Sequence, residues 1–284
     1  MGPALALAVA TVAALQLIRW LVAHPAWGRQ RPVRAVLLLL GSAVLATAAA
    51  GLVLVRLLVA LVEAAKGYAA PSVSHDASAG VVLRAAAVNV GVWLLVAVVG
   101  ILVMTLLVTA IPRSHRNRAL RRATSATLQP DERLDHGRIP VVVVEAAWPV
   151  AMGLPGRRPR IVVSTQLCDA LPPAELAAVV AHEEAHLRWH HADLARGVGL
   201  APLLMPRWKL VRDWDAEIGL LLELVADDTA SRVSGLGSMA AALRSMARLR
   251  DDALLHLRAE RIEARLALHA RAPGAHAHAD VTDG

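Results

Sequence analysis

The sequence predicts an α-helical membrane protein: three transmembrane helices at its amino-terminal end, then a small α+β domain. Three observations carry this. The chain of 284 residues is 56% hydrophobic and only 19% charged, with a mean hydropathy of +0.50, where an ordinary soluble domain is about half apolar and about a quarter charged. Its apolar residues are concentrated in long uncharged runs before position 112. After that point short β-branched runs alternate with amphipathic helical patterns, as a small mixed domain requires.

The first run is uncharged from Ala4 to Ile18 and continues past Arg19 to Val22, the second is uncharged from Ala35 to Val55 and continues beyond Arg56 to Val62, and the third extends from Ala85 to Ile111. Each supplies about the 20 residues that a bilayer-spanning helix needs. No positive n-region precedes the first run, so it reads as a span rather than a signal peptide. Arg29, Arg31 and Arg34 lie between the first two runs, and Arg113, Arg116, Arg118, Arg121 and Arg122 follow the third; the segment between runs two and three is nearly balanced. The positive-inside rule then predicts a multi-pass protein of the cytoplasmic membrane, with its amino terminus outside and everything from Arg113 onward in the cytoplasm.

The net charge of +7 comes almost wholly from arginine, since Lys66 and Lys209 are the only lysines. No nucleic-acid module accompanies it, so the charge reads as membrane-flanking and the bilayer, not nucleic acid, as its partner. Cys168 is the single cysteine. An intrachain disulfide is therefore excluded, and the residue reads as a small apolar one.

Residues 112–138 are polar and basic and read as a juxtamembrane helix and linker, with Gln129-Pro130 and His136-Gly137 as breakers. The next domain, 139–235, opens with three short strands: Ile139 to Glu145, Pro149 to Leu154 and Arg160 to Ser164. Pro155-Gly156-Arg157-Arg158-Pro159 is turn chemistry, so a small hairpin-based sheet is expected. Asp169, Pro172, Pro173 and Glu175 are helix-start residues, and Leu176, Val179 and Val180 run into His182. A further helix is expected over Glu217 to Arg232, and one amphipathic helix from Ser238 to Ala270 forms a segment of its own, 236–270. The tail, 271–284, has no apolar periodicity and is expected to be disordered.

The chemistry is concentrated in His182-Glu183-Glu184-Ala185-His186, an H-E-x-x-H pattern. Histidines at i and i+4 stand one above the other on a helix face and can hold one zinc ion, while Glu183 serves as general base toward the ion's open position. A third protein ligand is needed, and Glu223, on a separate expected helix, is the best candidate. Asp227, one turn on, can take a ligand histidine's free N–H. The domain is thus expected to be a zincin-like metalloprotease, cutting a protein or peptide laid along an edge strand, with Val150 to Leu154 and Arg160 to Ser164 both open as that edge.

Other residues have plainer readings. Glu184 lies about 100° round the helix from Glu183 and reads as surface. His190 would sit about 12 Å along the axis from His182, too far to share one ion; His191 has no better claim, and both read as polar surface or packing residues. His269, His276 and His278 lie in or near the tail, and Asp215 and Asp228 read as solvated. The plain alternative for the whole motif is a charged helix face.

With those residues placed, the chain resembles the BlaR/MecR-type antirepressor membrane metallopeptidases, a family of signal-transducing gluzincins. The likeness rests on three spans before the site, A-H-E-E-A-H at Ala181 to His186, E-L-V-A-D at Glu223 to Asp227, and S-T-Q-L and L-P-P-A-E-L between Ser164 and Leu176. It implies that His182, His186 and Glu223 bind zinc, that Glu183 is the base, and that the substrate is a cytosolic transcriptional repressor. The fourth span and extracellular penicillin-binding domain of that family's β-lactam receptors have no counterpart in the sequence, so the resemblance is to a short form and β-lactam sensing does not carry over. A quality-control or processing protease of the HtpX or CAAX class shares H-E-x-x-H and a similar acidic partner. A non-catalytic zinc-binding membrane sensor or scaffold is the alternative outside enzymology.

Overall fold

A computed structural model describes residues 2–69, 133–134, 139–146 and 148–271. The third apolar run and the tail beyond Arg271 lie outside the described residues. Contacts group the chain into two compact units, one of residues 1–117 and 197–221, the other of residues 118–196 and 222–284.

In the first unit, α1 (Gly2–Ala23), the short α2 (Pro25–Gln30) and α3 (Pro32–Ala69) follow one another, with Pro at the first position of both α2 and α3, where a missing N–H costs nothing. Ala14, Ile18 and Leu21 of α1 are buried, as are Ala35, Val36, Leu39, Ala46 and Ala49 of α3, and the two helices pack together. Their outer faces expose Val9, Val12, Leu37, Val44 and Leu45. Segments Ala6–Ala23 and Pro32–Val53 are long and apolar enough to cross a membrane. The polar Ser42 is accommodated in α3 by donating its hydroxyl to the Leu38 carbonyl at 2.6 Å.

The second unit is built on a four-stranded sheet of β1 (Arg133–Leu134), β2 (Val141–Val144), β3 (Ala151–Leu154) and β4 (Arg160–Ser164), in the order β1-β2-β4-β3. The sequence leads one to expect a linker at 112–138, yet β1 falls inside it and pairs antiparallel with β2. Only β3 and β4 form the expected hairpin; β2 and β4 run parallel, Val141 opposite Ile161. Residue type explains the order. Ile161, Val162 and Val163 are all buried, the mark of a strand enclosed on both faces, whereas β3 carries Gly153 and accepts the edge. The structure thus decides between the two candidate edge strands in favour of β3.

Ser164 ends β4 and caps α4 (Thr165–Ala170): its Oγ accepts the N–H of Leu167 at 3.2 Å and that of Val150 at 2.9 Å. Then come α5 (Pro173–Arg188), α6 (His191–Val198), α7 (Ala201–Leu204) and α8 (Lys209–Ser234). The last begins at Lys209, eight positions before Glu217, where the sequence places its start. Its residues to Leu221 count with the first unit and those from Leu222 with the second.

Gly235, at φ 87°, turns the chain from α8 into α9 (Leu236–Arg250) through a conformation open chiefly to glycine. The single helix expected over Ser238 to Ala270 is instead two. Asp251 adopts the left-handed conformation at φ 51°, and Asp252 Oδ1 accepts the N–H of Leu254 at 2.8 Å, which starts α10 (Ala253–Arg271). Short acidic side chains favour both roles over helix continuation. Val141, Ile161, Val163, Val179, Ala230, Met239, Leu243 and Ile262 meet in one core, joining the sheet to α5, α8, α9 and α10. Full burial of each large aliphatic there contributes roughly 1.5–3 kcal/mol.

Candidate metal centre

Helix α5 is entered through Pro172 and Pro173, with Glu175 in its first turn, and buries Ala178, Val179, Val180, His182 and Ala185. His182 and His186 project from it one turn apart, their Nε2 atoms 3.0 Å from each other. Helix α8 brings Glu223 to the same point: Oε2 lies 3.5 Å from Nε2 of His182, and Oε1 lies 3.4 Å from Nε2 of His186. One ligand atom from each of the three residues falls within 4.8 Å of the others.

These distances test whether a metal fits. Tetrahedral coordination with zinc–ligand bonds of 2.0–2.2 Å separates neighbouring ligand atoms by roughly 3.3–3.5 Å. Two imidazole nitrogens and a carboxylate are a donor set that zinc takes, and they occupy three corners with a fourth left for solvent or substrate. The residues fit.

A network behind these three candidate ligands orients His182 and Glu223. Asp227 is fully buried, and its Oδ1 lies 3.0 Å from Nδ1 of His182. Arg258, from α10, donates through Nε to Asp227 Oδ2 at 2.8 Å, through Nη2 to Asp227 Oδ1 at 2.6 Å and through Nη1 to Glu223 Oε2 at 2.8 Å. One guanidinium therefore holds both Glu223 and Asp227 of α8.

Electrostatics follow. Burial pushes the His182 pKa down, but the carboxylates of Asp227 and Glu223 outweigh it and raise the group to about 9 in the metal-free protein. Burial raises Glu223 and Asp227, and the opposing pull of the histidines and Arg258 on Glu223, and of His182 and Arg258 on Asp227, holds both carboxyls below their ordinary range.

Glu183 points to β3. Its Oε2 accepts the main-chain N–H of Gly153 at 2.8 Å. Close approach of strand and helix needs that glycine, because a Cβ there would meet Leu187 Cγ at 2.7 Å and the Glu183 carbonyl at 3.1 Å. Val150 turns its N–H and carbonyl toward Ser164 on β4, so Ala151 and Gly153, one and three residues on, face away from β4; with the Gly153 N–H given to Glu183, the N–H and carbonyl of Ala151 and the carbonyl of Gly153 are directed to the edge. Glu184 lines a separate cleft with Arg188, Asp193 and Thr229, a cleft whose lining excludes the three ligands.

Of the two readings open for His191, surface or packing, burial selects packing: its Nδ1 lies 3.0 Å from Nδ1 of His186, and burial first and the nearby His186 second lower its pKa to about 4. One expectation needs correction. Asp228 is not solvated: Arg261 Nη1 binds it at 2.7 Å, and Arg265 binds it as well. His190 stays exposed, as expected. His269 bonds the Arg265 carbonyl within its own helix.

Sequence reasoning misses Gly153, His191 and Arg258. For Arg258 a signal existed: Leu255, Arg258, Ala259 and Ile262 form an i, i+3, i+4, i+7 face, and an arginine on such a face needs a buried acidic partner.

Residues 140–205 match the model for peptidase family M48, a family of metal-dependent peptidases. That stretch includes β2 to β4 and both histidines but ends before Glu223. No curated protein and no solved structure matches the chain.

Proposed function

We propose that this chain is a membrane-anchored zinc endopeptidase whose site faces the cytosol and whose substrate is a regulatory protein such as a transcriptional repressor. The observation that carries it is the convergence of His182, His186 and Glu223 within 4.8 Å, next to Glu183 and an open strand edge. The match to a peptidase family supports it, and the two apolar helices support the anchor. The arginine distribution supports the orientation and the multi-pass topology.

Zinc at this place supplies Lewis-acid polarisation of a peptide carbonyl and a water of pKa about 7. The chain does the rest. An extended peptide pairs with the outward N–H and carbonyl of Ala151 and with the carbonyl of Gly153, whose own N–H is given to Glu183, and this sets the scissile bond beside α5. Glu183, with one oxygen held by Gly153, takes the proton of the attacking water on its other oxygen and passes it to the leaving amine. Asp227 and Arg258 hold His182 and Glu223 in orientation.

A second reading, a membrane quality-control or processing protease of the HtpX or CAAX class, draws support from the peptidase-family match over the same helix. Both readings are tested on the full chain in detergent. One zinc per chain is expected, and Glu183→Gln should keep the metal and lose at least about a hundredfold in cleavage. Absence of stoichiometric zinc, or undiminished cleavage by the variant, sinks the proposal. Proteins trapped on Glu183→Gln separate the readings: a DNA-binding repressor supports the first, misfolded or prenylated membrane proteins the second.

A further inference from the structure

We infer that His191 is a positioning residue for His186, accepting a hydrogen bond from its Nδ1–H so that Nε2 presents its lone pair to the metal. The inference rests on the zinc reading and begins with the backbone. Helix α5 ends at Arg188, and His190 takes the left-handed conformation at φ 52°. That residue reverses the chain and starts α6, with its carbonyl accepting the N–H groups of Asp193 at 2.9 Å and Leu194 at 3.1 Å. The reversal returns the next residue, His191, to the helix just left. The residue is only 3% exposed, and its ring stands edge-on to His186, centroids 4.8 Å apart at 86°.

The two facing Nδ1 atoms are 3.0 Å apart, so one carries a proton and the other a lone pair. For Nε2 of His186 to act as ligand, the proton of a neutral ring must be on Nδ1. His186 is then the donor, His191 Nδ1 the acceptor, and the proton of His191 is on its own Nε2. The bond fixes both the tautomer and the ring rotation of His186; behind His182 the corresponding place is taken by Asp227, whose Oδ1 is 3.0 Å from Nδ1. The two ligands therefore have different supports, a carboxylate for one and a neutral imidazole for the other. An imidazole completes the orientation without a third negative charge beside Glu223 and Asp227.

The test uses full-length protein in detergent with ¹⁵N-labelled histidine. In the wild type, His186 should be the Nδ1–H tautomer, with a scalar coupling across the hydrogen bond to His191 Nδ1, both with and without zinc. His191→Phe keeps a ring and removes the acceptor: chelator competition should show zinc binding weakened about 10- to 100-fold, and the visible spectrum of the cobalt-substituted protein should change. His191→Asn, whose side-chain oxygen accepts the same bond, should restore affinity to within about threefold by this argument. An Nε2–H tautomer in the wild type, or equal zinc affinity and cobalt spectra for wild type and His191→Phe, overturns the inference whether or not the variant is less stable. A wild type that binds no zinc overturns the metal reading of the site and, with it, the metal half of this inference, while the coupling measurement still judges the hydrogen bond alone.

Discussion

The main-chain N–H of Gly153 donates to Oε2 of Glu183 over 2.8 Å, so an edge strand holds the side chain proposed as the base. Gly153→Ala tests the dependence on that contact. The added methyl would crowd Leu187 and the Glu183 carbonyl, at a cost of about 1–3 kcal/mol. Thermal unfolding should show the loss, and kcat should fall while zinc content stays at one per chain. A companion Leu187→Ala change should recover part of the loss non-additively, because the two side chains share one space.

Arg258 offers a sharper stability test. Replacing it by Met leaves Asp227 fully buried without its main counter-charge, and breaking such a pair from one side costs about 3–5 kcal/mol. Arg258→Lys should lose less stability yet still weaken zinc binding, since one ammonium cannot reproduce the fork across Asp227 and Glu223. Denaturant unfolding and chelator competition read the two effects separately.

The pH dependence of metal uptake follows from His182. Its pKa in the metal-free protein is raised to about 9 from 6.5, so at neutral pH the ring is protonated and zinc must displace that proton. Zinc affinity should therefore rise about tenfold per pH unit toward pH 9 and level off above it. The stability of the metal-free protein should move the other way: this contribution is fully present below pH 6.5 and is lost as pH rises through 9. Proton release measured by calorimetry in buffers of different ionisation enthalpy checks the first, and metal-free melting curves check the second.

His190 is exposed and holds a positive φ. His190→Gly should be tolerated, since glycine enters that conformation freely, whereas the β-branched His190→Val should cost about 1–2 kcal/mol. Unfolding of the two variants side by side decides whether the turn is set by backbone conformation.

How much of this is visible in the sequence depends on the range of the interaction. His182 and His186 share a face through helix geometry alone, and Glu223 and Asp227 are one turn apart on another helix, so their grouping is legible before any fold is known. β3 and β4 are legible from residue type and turn chemistry. The parallel β2–β4 pairing is not, since it depends on which strand is enclosed on both faces. Gly153, His191 and Arg258 escape for a related reason: each meets its partner through a reversal or a crossing between elements. The pattern over Ser238 to Ala270 fits one helix, and only the conformation of Asp251 divides it.

The placement of Arg258 has a consequence for synthesis. As the nascent chain leaves the ribosome, His182, His186 and Glu223 are all made before the residue that neutralises Asp227 and steadies Glu223. Until α10 has emerged and docked, the ligands lack that clamp. The turn at Asp251 and Asp252 is thus the chain's last reversal before the residue that holds Asp227 and Glu223.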